Sequence, residues 1–160
     1  MVPPPTNNPI QVVGVIGLGY VGQTLVGAFA NVGYQVVGID IDESKISLLN
    51  STYTPTIFEP ELGASFKAHQ TQISFTTKYD QLMSAADAIC ITVGTPVSDE
   101  GVLQIEGVNA VVSAIVPHLR EGQLIILRST VSPGTTRKVA EAIEASSGYR
   151  IGNDIYVAFC

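Results

Sequence analysis

A chain of 160 residues with 46% hydrophobic and 14% charged side chains is long enough to bury one proper core and too apolar to be disordered. Its formal net charge of −6 offers no attraction to nucleic acid or to an anionic membrane, so neither is expected as a partner. Two cysteines, one inside an apolar run and one at the last position, exclude a disulfide framework. A cytoplasmic address fits, since the start lacks the regions of a signal peptide and no apolar run approaches the roughly 18 residues of a membrane span.

Residues 1–10, with three successive prolines, read as a flexible leader. One α/β domain is expected over residues 11–160. It opens with an almost wholly apolar strand over 11–16, the pattern of a strand covered on both faces. Gly17-Leu18-Gly19-Tyr20-Val21-Gly22 follows. Val21, Leu25, Ala28, Phe29 and Val32 then recur at helical spacing up to a stop at Gly33. A second strand over 35–39 ends at Asp40.

A glycine triplet of this kind is weak by itself. Here it leaves a strand, opens a helix and meets an acid about 20 residues on, all in a unit of about 30 residues. Gly17 allows the tight turn, Gly19 lets the backbone approach a pyrophosphate, and Gly22 lets the helix pack on the sheet. The helix N-terminus aims unpaired N–H groups and the positive end of its dipole at the phosphates. Asp40 can accept from both adenosine ribose hydroxyls and would repel a 2′-phosphate, which favours NAD over NADP. Asp42, its rival, is better placed to cap the next helix.

That helix turns Ile46 and Leu49 inward and ends near Asn50. After a less regular stretch over 51–58, Glu59-Pro60-Glu61 suits a helix start, with the helix running to about residue 70. A short strand over 73–75, a helix over 79–86 and an apolar strand over 88–93 follow, the last ended by Gly94-Thr95-Pro96. Beyond a polar turn at 98–101, Val108, Val111, Val112 and Ile115 form a helical stripe that Pro117 stops. A strand over 123–127, an N-cap and N1 pair at Ser132-Pro133 leading a helix with Val139 and Ile143, and a strand over 155–159 complete the series. Alternating strands and helices predict a doubly wound parallel sheet, a Rossmann fold of about six strands in order 3-2-1-4-5-6. In that order the loops at 17–22 and 94–96 face one crevice, with the loop after Leu127 beside them.

Five blocks together resemble the UDP-glucose/GDP-mannose dehydrogenase family over residues 12–160. They are the glycine motif, Ile39-Asp40-Ile41-Asp42-Glu43-Ser44-Lys45, Phe58-Glu59-Pro60-Glu61-Leu62, Val93-Gly94-Thr95-Pro96, and Ser129-Thr130-Val131 followed by Pro133-Gly134-Thr135-Thr136. The resemblance implies the NAD-binding domain of a nucleotide-sugar 6-dehydrogenase, which oxidises a UDP-sugar to a UDP-uronic acid in two hydride transfers to NAD and supplies polysaccharide precursors. It implies cofactor contacts at Gly17, Gly19, Tyr20, Val21, Gly22, Asp40, Lys45, Gly94, Thr95 and Thr130. Thr130 would lie closest to the reacting end and support catalysis, against a plainer reading as a hydroxyl that satisfies backbone at a strand end.

The family's central dimerising helices and its C-terminal sugar-binding domain, with the cysteine nucleophile, are expected to be absent from this chain. Cys160 matches the segment just before the family's proline-glutamate block, and Cys90 reads as an inert core thiol. The chain is therefore expected to bind NAD without turnover, as part of a parent that is a homodimer or larger. Residues 128–134 and 158–160 lean towards the branch acting on UDP-N-acetyl-hexosamines. Two other readings stay open: a free-standing NAD-binding or sensing module, and the NAD(P)-binding domain of a β-hydroxyacid dehydrogenase. No His, Cys or acid spacing fits a metal site.

Overall fold

The computed structural model describes residues 9–160, so the expected leader lies almost wholly outside the described residues. Six strands, β1 (Val12–Ile16), β2 (Gln35–Ile39), β3 (Ile73–Thr76), β4 (Ala88–Ile91), β5 (Leu124–Leu127) and β6 (Tyr156–Phe159), form one sheet. Every pairing is parallel and the order is β3-β2-β1-β4-β5-β6, as the alternation of elements predicts. Side chains alternate across it. Val13, Val15 and Cys90 point into a core shared with α1 (Tyr20–Asn31), α2 (Glu43–Thr52) and α3 (Leu62–Ala68). Ile16, Ile89 and Ile91 point into a second core under α4 (Tyr79–Ala85), α5 (Glu106–Ile115) and α6 (Thr135–Ser147).

The packing face of α1 differs from the apolar stripe read in the sequence. Its buried residues are Gly22, Gln23, Val26, Gly27 and Ala30, whereas Val21 is 42% and Val32 72% exposed. The reason is distance. A Cβ on Gly22 would overlap the carbonyl oxygen of Gly17, and one on Gly27 would run into the Leu62 side chain. The helix lies too close to the sheet and to α3 for a bulky inner face, so glycines, which score as neutral in a periodicity count, mark the buried side. Buried Gln23 is satisfied within the fold: its Nε2 donates to the Leu18 carbonyl and to Thr56 Oγ1, both at 2.8 Å, and its Oε1 accepts from Thr56 N–H at 2.8 Å.

The stop at Gly33 is a Schellman motif. Tyr34 N–H donates to Phe29 O and Gly33 N–H to Ala30 O, with Gly33 at φ +97° and the Phe29 and Tyr34 rings edge to face at 6.0 Å. The start of α6 departs from expectation. Ser132 does not cap it; Thr135 N–H closes a turn onto Ser132 O, and the helix is entered from Gly134 at φ +89°. Residues 60–61 form a turn ahead of α3, which is shorter than read, and β4 ends at Ile91, two residues earlier than read.

Three helical glycines separate these effects. Gly63→Ala, with Pro55 Cδ 3.7 Å from the added carbon, is expected to raise unfolding stability by about 0.5–1 kcal/mol. Gly27→Ala overlaps the movable end of Leu62, with Ser65 Oγ and Phe66 Cε1 at ordinary contact distance, and stays within about 1 kcal/mol of wild type. Gly22→Ala strikes backbone and loses about 3 kcal/mol. Urea titrations give the order, and equal effects at Gly22 and Gly27 would refute the close-approach argument.

Candidate functional site

The crevice at the carboxyl edge of the sheet begins with the turn from β1 into α1. Gly17 takes φ +94° and donates its N–H to Ile39 O at 2.9 Å, which joins the turn to the end of β2. Its carbonyl accepts Thr92 Oγ1–H at 2.6 Å, and the same hydroxyl lies 3.0 Å from Ile16 O. The turn is thereby pinned to the strand ends on both sides. Gly19 is the N-cap of α1, no side chain caps that end, and no atom lies within 4 Å of where a Gly19 Cβ would stand. An uncapped helix N-terminus with open space over its glycine is a cradle for an anionic group that must touch backbone.

Asp40 ends β2 beside this cradle. Its Oδ2 accepts Leu18 N–H at 2.9 Å and the Lys45 ammonium at 2.7 Å, and its Oδ1 accepts Asp42 N–H at 3.1 Å. Burial alone would raise the pKa of this carboxyl, 11% exposed, but the bonds from Lys45, Asp42 and Leu18 outweigh it and hold the group below its ordinary value. Asp42 caps α2 by accepting Lys45 N–H at 3.1 Å, as the sequence predicts. Lys45 sits behind Asp40 as its ion-pair partner.

The crevice encloses about 410 Å³. Of the residues singled out in the sequence, Gly17, Gly19, Asp40 and Gly94 line it. Gly22 packs beneath the turn, and Tyr20 and Val21 stand outside the crevice, exposed on the first turn of α1. Tyr20 Oη–H donates to Glu59 Oε2 at 3.0 Å, a bond that raises the tyrosine pKa and gives Glu59 a partner that a helix-start acid does not need. Thr95 and Thr130 come together on neighbouring loops, where Thr95 Oγ1–H donates to Thr130 O at 2.7 Å. Ser129, buried beside them, donates to Val93 O at 2.7 Å.

Sequence reasoning missed Ile41, Tyr79, Thr92, Gly107 and Ala110, which also line the crevice. Only two of these carried a readable signal. Ile41 is a large aliphatic left 87% exposed directly after the acid, and Gly107 sits in the first turn of α5, where a Cβ would press to 3.3 Å from Gly94 O. Cys90 is buried in the sheet, and that burial pushes its thiol up to about 11, so it is protonated and unreactive at neutral pH. Among the described residues no cluster of three potential metal ligands occurs, and no helix is long and apolar enough to cross a membrane.

Residues 11–160 match the profile of the UDP-glucose/GDP-mannose dehydrogenase family, NAD binding domain. The UDP-glucose 6-dehydrogenase TuaD of Bacillus subtilis is 36% identical over 89% of this chain and 31% of its own length. Among solved structures, the UDP-D-ManNAc dehydrogenase of Pyrococcus horikoshii superposes with a TM-score of 0.87 at 32% identity, over 93% of this chain and 35% of that one. A ternary complex of GDP-mannose dehydrogenase from Pseudomonas aeruginosa gives 0.85 at 34% identity, over 91% and 34%. The chain thus spans about a third of the length of the relatives it matches, and its likeness is spread across enzymes named for three different sugars.

The wiring of Asp40 has a measurable pH signature. With its folded pKa below the ordinary 3.8, the carboxylate stabilises the fold at all pH above that value, and the contribution is lost as pH falls through the lower, folded pKa. In Lys45→Met the Asp40 carboxyl should titrate higher than in wild type by carboxyl-carbon NMR, and acid unfolding should begin at higher pH. An unchanged titration would show that Lys45 does not hold the charge.

Proposed function

Because the chain belongs to the UDP-glucose/GDP-mannose dehydrogenase family as its NAD-binding domain, we propose that the crevice holds NAD for a nucleotide-sugar 6-dehydrogenase and that the chain by itself binds the cofactor without sustained turnover. The observation that carries this reading is the pairing, in one crevice, of an uncapped α1 N-terminus under open space with an ionised Asp40 at the end of β2. The first suits a pyrophosphate and the second the adenosine ribose.

In this proposal Gly17 shapes the turn, Gly19 and the first N–H groups of α1 hold the pyrophosphate, and Gly22 lets the helix come close enough to do so. Tyr20 and Val21 border that site from the outer turn. Asp40 receives the ribose, with Lys45 keeping it charged and oriented. Gly94 lies along the cofactor, and the Thr95 bond to Thr130 O sets the loop that bears Thr130. Thr130, whose side chain is exposed, is the residue nearest the reacting end and supports catalysis from there. NAD itself supplies the hydride acceptor. The thiol nucleophile and the sugar site belong to the parent's further domains, which also make it a dimer or larger, in the cytoplasm. The substrate class is a nucleotide sugar, UDP-linked by preference, with the hexosamine branch favoured by residues 128–134.

A carboxylate at the ribose works against a 2′-phosphate, which counts against the NADP-preferring β-hydroxyacid dehydrogenase alternative. Calorimetric titration should show NAD binding and NADP at least about tenfold weaker, the equivalent of ~1.4 kcal/mol. Incubation of the chain with NAD and UDP-glucose, GDP-mannose or UDP-N-acetylmannosamine should give no sustained NADH signal. Tight NADP binding would overturn the cofactor assignment, and steady NADH formation would overturn the catalytic incompleteness.

A further inference from the structure

Asp40 has less acceptor capacity left than a ribose demands. An ionised carboxylate offers about four lone-pair sites. Leu18 and Lys45 take both on Oδ2, and Asp42 takes one on Oδ1. About one remains, on Oδ1. A ribose presents two neighbouring hydroxyls, each able to donate one proton and to accept. Asp40 can therefore receive one proton, not one from each hydroxyl as its sequence position suggests, because Leu18, Lys45 and Asp42 already occupy the rest. It can donate to neither oxygen.

Tyr79 lines the same crevice and carries a donor. It is the first residue of α4, its ring is half-buried against the core under α4–α6, and it lines the crevice together with Asp40 and Ile41. The ring is thus held in place while the hydroxyl makes no hydrogen bond among the described residues. No buried side-chain oxygen or nitrogen among the described residues is sealed off without a partner, so this hydroxyl is reached by solvent, on a residue that lines the crevice. The hydroxyl is a donor at neutral pH, as any tyrosine is, and burial first and the Asp40 charge second push its pKa further above the ordinary value.

We infer that Tyr79 is a second determinant of cofactor choice, its Oη–H donating to the adenosine 2′-hydroxyl whose own proton goes to Asp40 Oδ1. A donor on one side and an acceptor on the other match a hydroxyl, which is both. A phosphate monoester at the same position offers acceptors only: it could take the Tyr79 proton, but it would meet the Asp40 carboxylate with like charge. Selectivity then comes from a pair of opposite hydrogen-bonding character, with Tyr79 supplying affinity for the hydroxyl and Asp40 the rejection of phosphate.

The inference rests on the reading of the crevice as the NAD site, and the test separates the two. Wild type and Tyr79→Phe are titrated by calorimetry with NAD and with NAD lacking the adenosine 2′-hydroxyl. Wild type should bind NAD at least about tenfold more tightly than the deoxy form, which loses the bonds to both Tyr79 and Asp40, and Tyr79→Phe, which loses one of them, should bind NAD about 5–10-fold more weakly than wild type does. The deoxy form should bind both proteins alike, within about twofold. Equal weakening towards both ligands in Tyr79→Phe, or an unchanged NAD affinity, overturns the inference and leaves the NAD site standing. A wild type that cannot tell the two ligands apart overturns it with no variant involved. Failure of wild type to bind NAD at all defeats the functional reading, and this inference with it.

Discussion

The contact on which the rest of the molecule depends is the approach of the first turn of α1 to the carbonyl of Gly17. That oxygen lies between Gly22 of the helix, which has no Cβ to strike it, and the Thr92 hydroxyl from the end of β4, which donates to it at 2.6 Å. A half-buried carbonyl in such a wedge gains from a partner, and Thr92 is the one the fold provides. The contact holds α1 close to β1 and fastens the glycine turn to the neighbouring strand. Both walls of the crevice are positioned by it. Any residue larger than glycine at position 22 would push the helix end away from the place where its free N–H groups can act.

The two ends of the sheet are finished in opposite ways. At the amino edge polar groups are closed onto one another. Arg120 and Gln123 donate to Met83 O and Ala86 O, satisfying the carbonyls at the end of α4. Asp87 accepts the N–H groups of Gln11 and Val12, and Arg120 lies 3.9 Å from it. Along the outer edge strand, Asn50 adds a two-way bond between α2 and Phe75 of β3. At the carboxyl edge, by contrast, the end of α1 is left without a cap. The free N–H groups of that end are left where a ligand is expected.

Much of this could be read from the residues alone. The strand order, the place of the crevice, the cap at Asp42 and the stop at Gly33 follow from local chemistry that the tertiary structure leaves in force. Where the reading failed, distance was the cause. The stripe on α1 was misplaced because an apolar periodicity cannot see that a helix packs by its glycines. The cap at Ser132 gave way because a left-handed Gly134 re-enters the helix two residues later. Tyr79 and Thr92 joined the crevice through the topology, since neither belongs to a motif and each meets its partners from a distant part of the chain. Glu59 acquired its role in the same way, from a tyrosine 39 positions earlier.

Asp40 illustrates what such wiring does in time rather than in space. Three donors from its own chain fix the carboxylate, so the loss of rotamer freedom that a recognition contact normally exacts has already taken place when the protein folds. Encounter with a ligand then requires no reorientation of this group. Its contribution to binding is one of readiness: the site presents the same face to every ligand that arrives, and discrimination happens at first contact rather than after a rearrangement.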